Sequence, residues 1–151
     1  MTSIRFSIMK ALVVRLATIT GWDVQLRGMT NTASGDADVR AVVWTPGENK
    51  RLENTDKYSA TLQVGVDIAC AAEAADAVLD EGNPLSLLDR MLVLAERKIH
   101  APDAWGLDPE FNQVSIDGHD IREIAAGDGH VRARLRLTFI YRHDYLDPEA
   151  G

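Results

Sequence analysis

The sequence of 151 residues has little cysteine, few cations and no long apolar run. Its single cysteine, Cys70, excludes a disulfide-stabilised scaffold and is expected to be a buried, inert thiol. No apolar stretch reaches the roughly 18–20 residues that cross a bilayer, and residues 1–5 lack the layout of a signal peptide. The composition therefore predicts a soluble protein, made in a reducing compartment and without a membrane partner.

The charge balance of the sequence bears on its possible binding partners. Sixteen Lys and Arg against twenty-three Asp and Glu leave a net charge of −7. Because duplex binding depends mainly on clustered cations that neutralise phosphates, this balance argues against a general nucleic-acid-binding protein. At this length we expect one domain, residues 1–151.

Motifs for catalysis and for metal binding are also missing. No two histidines lie four residues apart, and the sequence has no phosphate-binding or dinucleotide-binding glycine motif. The tripeptide Asp-Gly-His occurs at 117–119 and 128–130, where Asp-Gly is typical of a turn. Carboxylate pairs occur only in stretches without the apolar enclosure that a catalytic acid needs, and we expect them to be solvated surface charges: Asp36/Asp38, Asp76/Asp80 and Glu53/Asp56. We therefore expect no catalytic residue, no bound metal and no cofactor.

The first strong pattern is an amphipathic helix from Ser3 to Thr20. Thr2 or Ser3 is a suitable N-cap, and Gly21 follows where a helix ends. Val13 and Val14 widen the apolar stripe, which suggests that a second surface covers this helix in addition to its own core. The spacing of three and four residues is carried by Ile4, Ile8, Ala11, Leu12, Arg15, Leu16 and Ile19.

A second amphipathic helix is predicted from Pro84 to Ile99, because proline is well suited to a first helical turn. The segment 71–80 is alanine-rich and helix-compatible, but its apolar stripe is weak. The apolar face of the second helix comprises Leu85, Leu88, Met91, Leu92, Ala95 and Ile99, and Leu87 and Leu94 broaden it.

Alternation of apolar and polar residues predicts strands in the rest of the chain. The clearest is the last, in which apolar residues from Val131 to Tyr141 alternate with Arg132, Arg134, Arg136 and Arg142. Pro46-Gly47 is expected to stop a strand at 39–44, and Asp117-Gly118 is expected to separate two short strands. The predicted strands are 22–26, 39–44, 58–70, 113–116, 119–125 and 131–142, with loops at 27–38 and 46–57. This order predicts an α+β fold, a mainly antiparallel β-sheet with two principal helices packed on one face.

The arginine row of the last strand permits three interpretations. Like charges two residues apart on one face repel each other unless anions lie opposite. The anions are supplied by cross-strand pairing, with Asp67 an obvious candidate, by the acidic surface of a neighbouring copy, or by nucleic acid passing nearby. The sequence leaves all three open.

In its order of elements the chain resembles the tail-terminator family of long-tailed bacteriophages. The resemblance covers nearly the whole chain. It rests on the helix 4–16, the strand 39–45 ending in Pro46, the alternating strand 58–70, the helix 84–99 and the closing Tyr-Arg-x-x-Tyr-x-Asp-Pro at 141–148.

The resemblance implies a structural virion protein with no enzymatic activity. Such proteins form a ring, usually hexameric, that caps the tail tube, stops its polymerisation and joins it to the head-side connector. It further implies tube contacts through mobile loops at 27–38 and 46–57, a short C-terminal tail at 144–151, DNA at most passing through the ring lumen, and a location in the tail or neck after assembly in the host cytoplasm. The interface candidates are Arg132, Arg134, Arg136, Arg142, Tyr141, Tyr145, Lys50 and Arg51.

Three other functions remain open from the sequence. A head-completion or neck connector protein of similar size also forms rings without an active site. A small binding adaptor would use the Arg-rich strand, and a small metal hydrolase would require His119 and His130 to share a site.

Overall fold

The computed structural model describes residues 3–27, 39–53, 56–71, 84–107, 111, 113–123 and 130–144. These residues form two α-helices and five β-strands: α1 (Ile4–Ala17), β1 (Trp22–Leu26), β2 (Val39–Leu52), β3 (Lys57–Ala71), α2 (Pro84–Ile99), β4 (Gln113–Glu123) and β5 (His130–Asp144). The predicted α+β class is confirmed. Neither of these helices has the length and hydropathy to span a membrane.

All five strands belong to one sheet, in the order β1-β2-β3-β5-β4. β1 runs parallel to β2, and the other three pairings are antiparallel. The central strands β2, β3 and β5 are 14, 15 and 15 residues long. Because β3 pairs with β5 along the full length of both, the long last strand lies within the sheet and does not project beyond it.

Both helices cover the same face of the sheet. α1 packs on β1 and β2, α2 packs on β5, and the two helices touch each other. The core between the layers includes Ile8, Leu12 and Leu16 of α1, Leu88, Ala95 and Ile99 of α2, and Leu62, Val66, Leu135, Leu137 and Phe139 of the sheet. We call the opposite face the open face.

Helix α1 begins where its cap predicts. The Ser3 side chain accepts a hydrogen bond from the backbone N–H of Phe6 at 3.3 Å, as an N-cap residue does. The helix ends at Ala17, three residues earlier than predicted, and Gly21 has a φ of 83° in the turn that leads to β1. Helix α2 has the predicted bounds. The prediction that Leu85 belongs to its buried apolar face is wrong. It lies in the first turn and is 42% exposed.

The prediction that Pro46-Gly47 ends a strand is wrong. Proline has no N–H for the ladder, so β2 forms a bulge between Trp44 and Gly47 and then resumes its pairing with β3. The Thr45 hydroxyl bridges the gap, since it accepts from the Gly47 N–H at 3.0 Å and donates to the carbonyl of Gln63 at 2.5 Å. The predicted loop at 46–57 is therefore corrected: 46–52 extends β2, and β3 begins at Lys57.

A second correction concerns Asp117-Gly118, which is a bulge within one strand and not a turn between two. β4 runs from Gln113 to Glu123, and its register with β5 shifts between Ile116 and Gly118. Gly118 has a φ of 145°, a conformation that favours glycine and lets the strand continue. Of the predicted loop at 27–38, the helix-compatible segment at 71–80 and the tail at 144–151, the structure describes only Arg27, Ala71 and Asp144. Ala71 belongs to β3 and Asp144 to β5. The rest of these segments and the predicted turn at 126–129 lie outside the described residues.

Candidate interaction surface

The arginine row lies on the open face of the sheet. Apolar residues of β5 are buried beneath the helices, so alternation directs the side chains between them to the other side. The structure thus brings Arg132, Arg134, Arg136 and Arg142 together in one row, as the sequence predicts.

Arg134 is paired within the chain. It stands directly opposite Asp67 in the register of β3 and β5. Its Nε and Nη2 atoms donate to the two carboxylate oxygens of Asp67 at 2.7 and 3.1 Å. This bidentate hydrogen bond raises the pKa of Arg134. Of the three interpretations left open by the sequence, cross-strand pairing with Asp67 is confirmed for this arginine.

Trp44 forms the centre of a cluster on the same face. Two guanidinium groups lie over its ring, with the Cζ of Arg27 4.7 Å and that of Arg134 4.4 Å from the ring centroid. Asp67 joins the two arginines, because its Oδ2 is 3.7 Å from Arg27 Nη2. Gly65, opposite Trp44 in the ladder, leaves room for the indole. We call Arg27, Trp44, Gly65, Asp67 and Arg134 the tryptophan clamp.

Sequence reasoning missed the tryptophan clamp, although a signal was present. Gly65 interrupts the polar row of a strand with period two, and glycine in a strand often marks the close approach of another group. Trp44 is the last aromatic residue before Pro46. What the sequence lacks is the register that sets these two residues opposite each other.

Arg136 and Arg142 are more exposed to solvent than Arg134. Arg136 Nε lies 3.2 Å from Asp120, and Arg142 Nε lies 2.9 Å from Glu53, while the two arginine side chains remain 52% and 57% exposed. Exposed pairs of this kind contribute only about 0–1 kcal/mol, so these arginines can exchange partners at low cost.

A cavity of about 210 Å³ is lined by Trp44, Gly65 and Arg134 of the tryptophan clamp and by Arg136, among others. Asp117 and Asp120 of β4 form part of its wall. The Thr138 hydroxyl donates to Asp117 at 2.5 Å, and the Ser115 hydroxyl donates to the same carboxylate at 3.2 Å. The side chains of this part of the open face are thus held in place by one another.

Tyr141 does not lie on the surface that the sequence assigned to it. Its side chain points beneath the helices and is 2% exposed, because it belongs to the apolar row of β5. Its hydroxyl donates to Glu48 Oε2 at 2.6 Å. Tyr141 is therefore a core residue of the single chain, and its selection as an interface residue is corrected.

The Glu48 carboxylate on β2 interacts with three side chains. Besides Tyr141 it accepts a hydrogen bond from Arg5 of α1, and Lys50 Nζ lies 3.6 Å from its Oε1. Burial raises the pKa of Glu48, but the hydrogen bonds from Tyr141 and Arg5 outweigh burial and hold the pKa below its usual value. Burial and the same hydrogen bond raise the pKa of Tyr141. Glu48 thus ties β2 to both α1 and β5.

The remaining interface candidates and the proposed histidine pair are placed as follows. Lys50 and Arg51 are exposed on β2, Arg132 is partly buried in the arginine row, and Tyr145 lies outside the described residues.

His119 faces Leu135 of β5, five residues or about 17 Å along that strand from His130. The two histidines do not share a site. In the described part of the chain, no three His, Cys, Asp or Glu side chains are grouped to hold a metal ion.

The helical layer carries a second kind of surface. A groove of about 490 Å³ runs beside α1 and is lined by Lys10, Val14, Arg15, Lys98 and Trp105, among others. Arg15 stacks on Trp105 with its Cζ 4.3 Å from the ring centroid. Val13 packs against the core, whereas Val14 is 68% exposed. The wide apolar stripe predicted for α1 is therefore only partly covered.

No protein-family model matches the chain, and no curated protein matches it in sequence.

Proposed function

We propose that the protein is a structural assembly protein that forms a ring, caps the tube of a phage or phage-derived tail and presents it to the head-side connector. In this role it acts through surfaces that fit other proteins, and it makes or breaks no covalent bond. The virion, at the tail or neck, is its proposed location.

One observation carries this proposal: the open face extends along the full lengths of β3 and β5 and bears the arginine row. Both described helices lie on the other side, so this broad face is available to a flat partner such as the end of a tube. Arg136 and Arg142 are the anchors we propose, because half of each side chain is exposed and each exposed pair is weak.

The test uses purified protein and tail-tube protein that is polymerising in vitro. We expect substoichiometric amounts to bind at tube ends and to arrest growth, measured by light scattering and by tube length in electron micrographs. The variant Arg136→Glu/Arg142→Glu is expected to lose both effects. Arg134 is unsuitable for this test, because a glutamate there would face Asp67 inside the tryptophan clamp and disturb folding.

Arg90→Glu is the matched control. It makes the same kind of charge change on the exposed side of α2, away from the open face, and is expected to cap tubes normally. Wild-type protein that neither binds tube ends nor arrests growth would overturn the proposal. Binding to the head-side connector alone would favour the neck connector, and salt-dependent retention on DNA alone would favour the binding adaptor.

A further inference from the structure

The described residues expose five large apolar side chains, and four of them fall into two groups. Phe6 and Val14 on α1 are 45% and 68% exposed, whereas Leu85 of α2 and Ile121 of β4 are 42% and 43% exposed. The fifth is Leu52 on β2, at 49%. Exposed apolar side chains that cluster are typical of surfaces that meet a partner.

The first group lies along one exposed side of α1, which we call the α1 ridge, and its residues Lys10 and Val14 also line the groove beside this helix. Phe6, Lys10 and Val14 are spaced by four residues, so they lie on one side of the helix. Lys10 is exposed, and its Nζ lies 5.7 Å from the centroid of the Phe6 ring. The α1 ridge is therefore apolar at both ends and positively charged at its middle.

The second group lines a concavity, which we call the α2/β4 groove. Its volume is about 370 Å³, and its lining comprises Leu85, Ser86, Asp89, Leu92, His119 and Ile121. Asp89 is exposed and lies one helical turn after Leu85. The α2/β4 groove is therefore apolar with a carboxylate at its rim.

The two surfaces match in their exposed apolar side chains and carry opposite charges. A helix ridge with anchors four residues apart is the form that binds an apolar groove, and Lys10 would meet Asp89. They also lie on different elements, since α1 packs on β1 and β2 while β4 is the strand at the other end of the sheet. A contact between two different patches of one chain is what builds a ring from identical copies.

We infer that the α1 ridge of one copy docks in the α2/β4 groove of the next. This inference rests on the ring of the proposed function and names the two surfaces that join its subunits. The occupant of the groove is a second copy of this chain, bound head to tail. A self-complementary contact between identical patches would instead stop at a dimer.

The first test is sedimentation velocity of the wild-type protein from micromolar to millimolar concentration, compared with Val14→Glu on the ridge and Leu85→Glu in the groove. Both residues are exposed, so folding should persist, and circular dichroism checks it. We expect each variant to associate at least about tenfold more weakly than wild type. Leu52→Glu is the matched control, because it places the same charge on an exposed leucine outside both surfaces.

Mixing separates a head-to-tail contact from other modes of assembly. The ridge variant retains its groove, and the groove variant retains its ridge, so one intact contact forms between them. An equimolar mixture is expected to give a one-to-one dimer and nothing larger. In a second arm, Lys10→Glu and Asp89→Lys each weaken association, and the chain carrying both restores it because each contact regains opposite charges.

The outcomes distinguish this inference from the proposed function. If wild type and all variants assemble alike, or if the mixture forms full rings, the docking surfaces are wrong while the ring stands. If wild type remains a monomer up to millimolar concentration, the self-contact is overturned, and the tube-capping assay still decides the proposed function. The inference that the α1 ridge docks in the α2/β4 groove is supported if wild type forms rings, the mixture forms dimers and the charge exchange restores association.

Discussion

The indole of Trp44 lies on Gly65 so closely that a Cβ atom at residue 65 would be 2.5 Å from Trp44 Cε2. Gly65 does not have a positive φ, so its role is to leave space and not to permit an unusual backbone conformation. The ring fills that space and contacts Arg134, whose Cζ lies 4.4 Å from the ring centroid. The absence of one side chain on β3 thus allows the tryptophan clamp to form.

Gly65→Ala is therefore expected to destabilise the protein by about 1–3 kcal/mol, because the methyl group displaces the indole from the sheet. Urea unfolding measures the loss. In a Trp44→Ala background the same substitution should be neutral or slightly stabilising, since alanine restricts the unfolded chain more than glycine does. Equal losses in the two backgrounds would show that the contact between these residues is not the cause.

Asp67→Asn and Arg134→Met are expected to show positive coupling in a double-mutant cycle, of about 0.5–1 kcal/mol for a partly exposed ion pair. The bidentate geometry and the position of Arg134 over Trp44 place the coupling toward the upper end. Arg136→Met with Asp120→Asn is a comparison pair with more exposed side chains and should couple more weakly. Additive losses at Asp67 and Arg134 would contradict the tryptophan clamp as a stabilising unit.

Glu48→Gln should remove a pH-dependent part of the stability. The folded pKa of Glu48 lies below its ordinary value of 4.5, so the ionised form stabilises the folded state fully above about pH 4.5. This contribution is lost as the pH falls through the folded pKa. The difference in unfolding free energy between wild type and variant, about 1–2 kcal/mol near neutral pH, should shrink on acidification. A difference that stays constant from pH 7 to pH 3 would contradict this role.

Cys70 should react with thiol reagents only after unfolding. Burial raises the pKa of its thiol to about 11, and the side chain is 1% exposed. At pH 8 the native thiolate fraction is then on the order of one in a thousand, far below that of a free cysteine. Labelling with a chromogenic disulfide should be slow for native protein and complete in denaturant. Rapid native labelling would show that β3 opens locally.

The elements with strong periodicity were predictable from the sequence. β5 alternates without interruption, β3 alternates except at Gly65, and α2 has both a suitable first residue and a regular apolar face, so local pattern and burial agree. Positions where the local sequence pattern and the pairing with a neighbouring strand favour different structures were not predictable. Pro46 is locally a strand breaker, but pairing on both sides of it outweighs one missing N–H.

The candidate site was predictable only in part. The alternation of β5 placed the arginine row correctly, and Asp67 was a candidate partner for the row. The register that sets Asp67 opposite Arg134 was not predictable. Tyr141 was misassigned because its position in the apolar row and its polar hydroxyl indicate different environments. Burial prevails because Glu48 accepts its hydrogen bond. The α1 ridge depends on which part of a wide stripe its own chain leaves uncovered, and that depends on tertiary packing.

Two of the three register shifts in the described sheet, at Trp44/Gly47 and Ile116/Gly118, lie at the same level. The additional residues of β2, Thr45 and Pro46, stand beside Val64 of β3, which pairs with Leu137, and Leu137 pairs with Ile116 at the bulge of β4. Bulges bend a strand and increase its twist. Because the two shifts are aligned, we expect the sheet to bend at this level and its two halves to present differently angled surfaces to neighbouring molecules, while the register between β3 and β5 stays continuous.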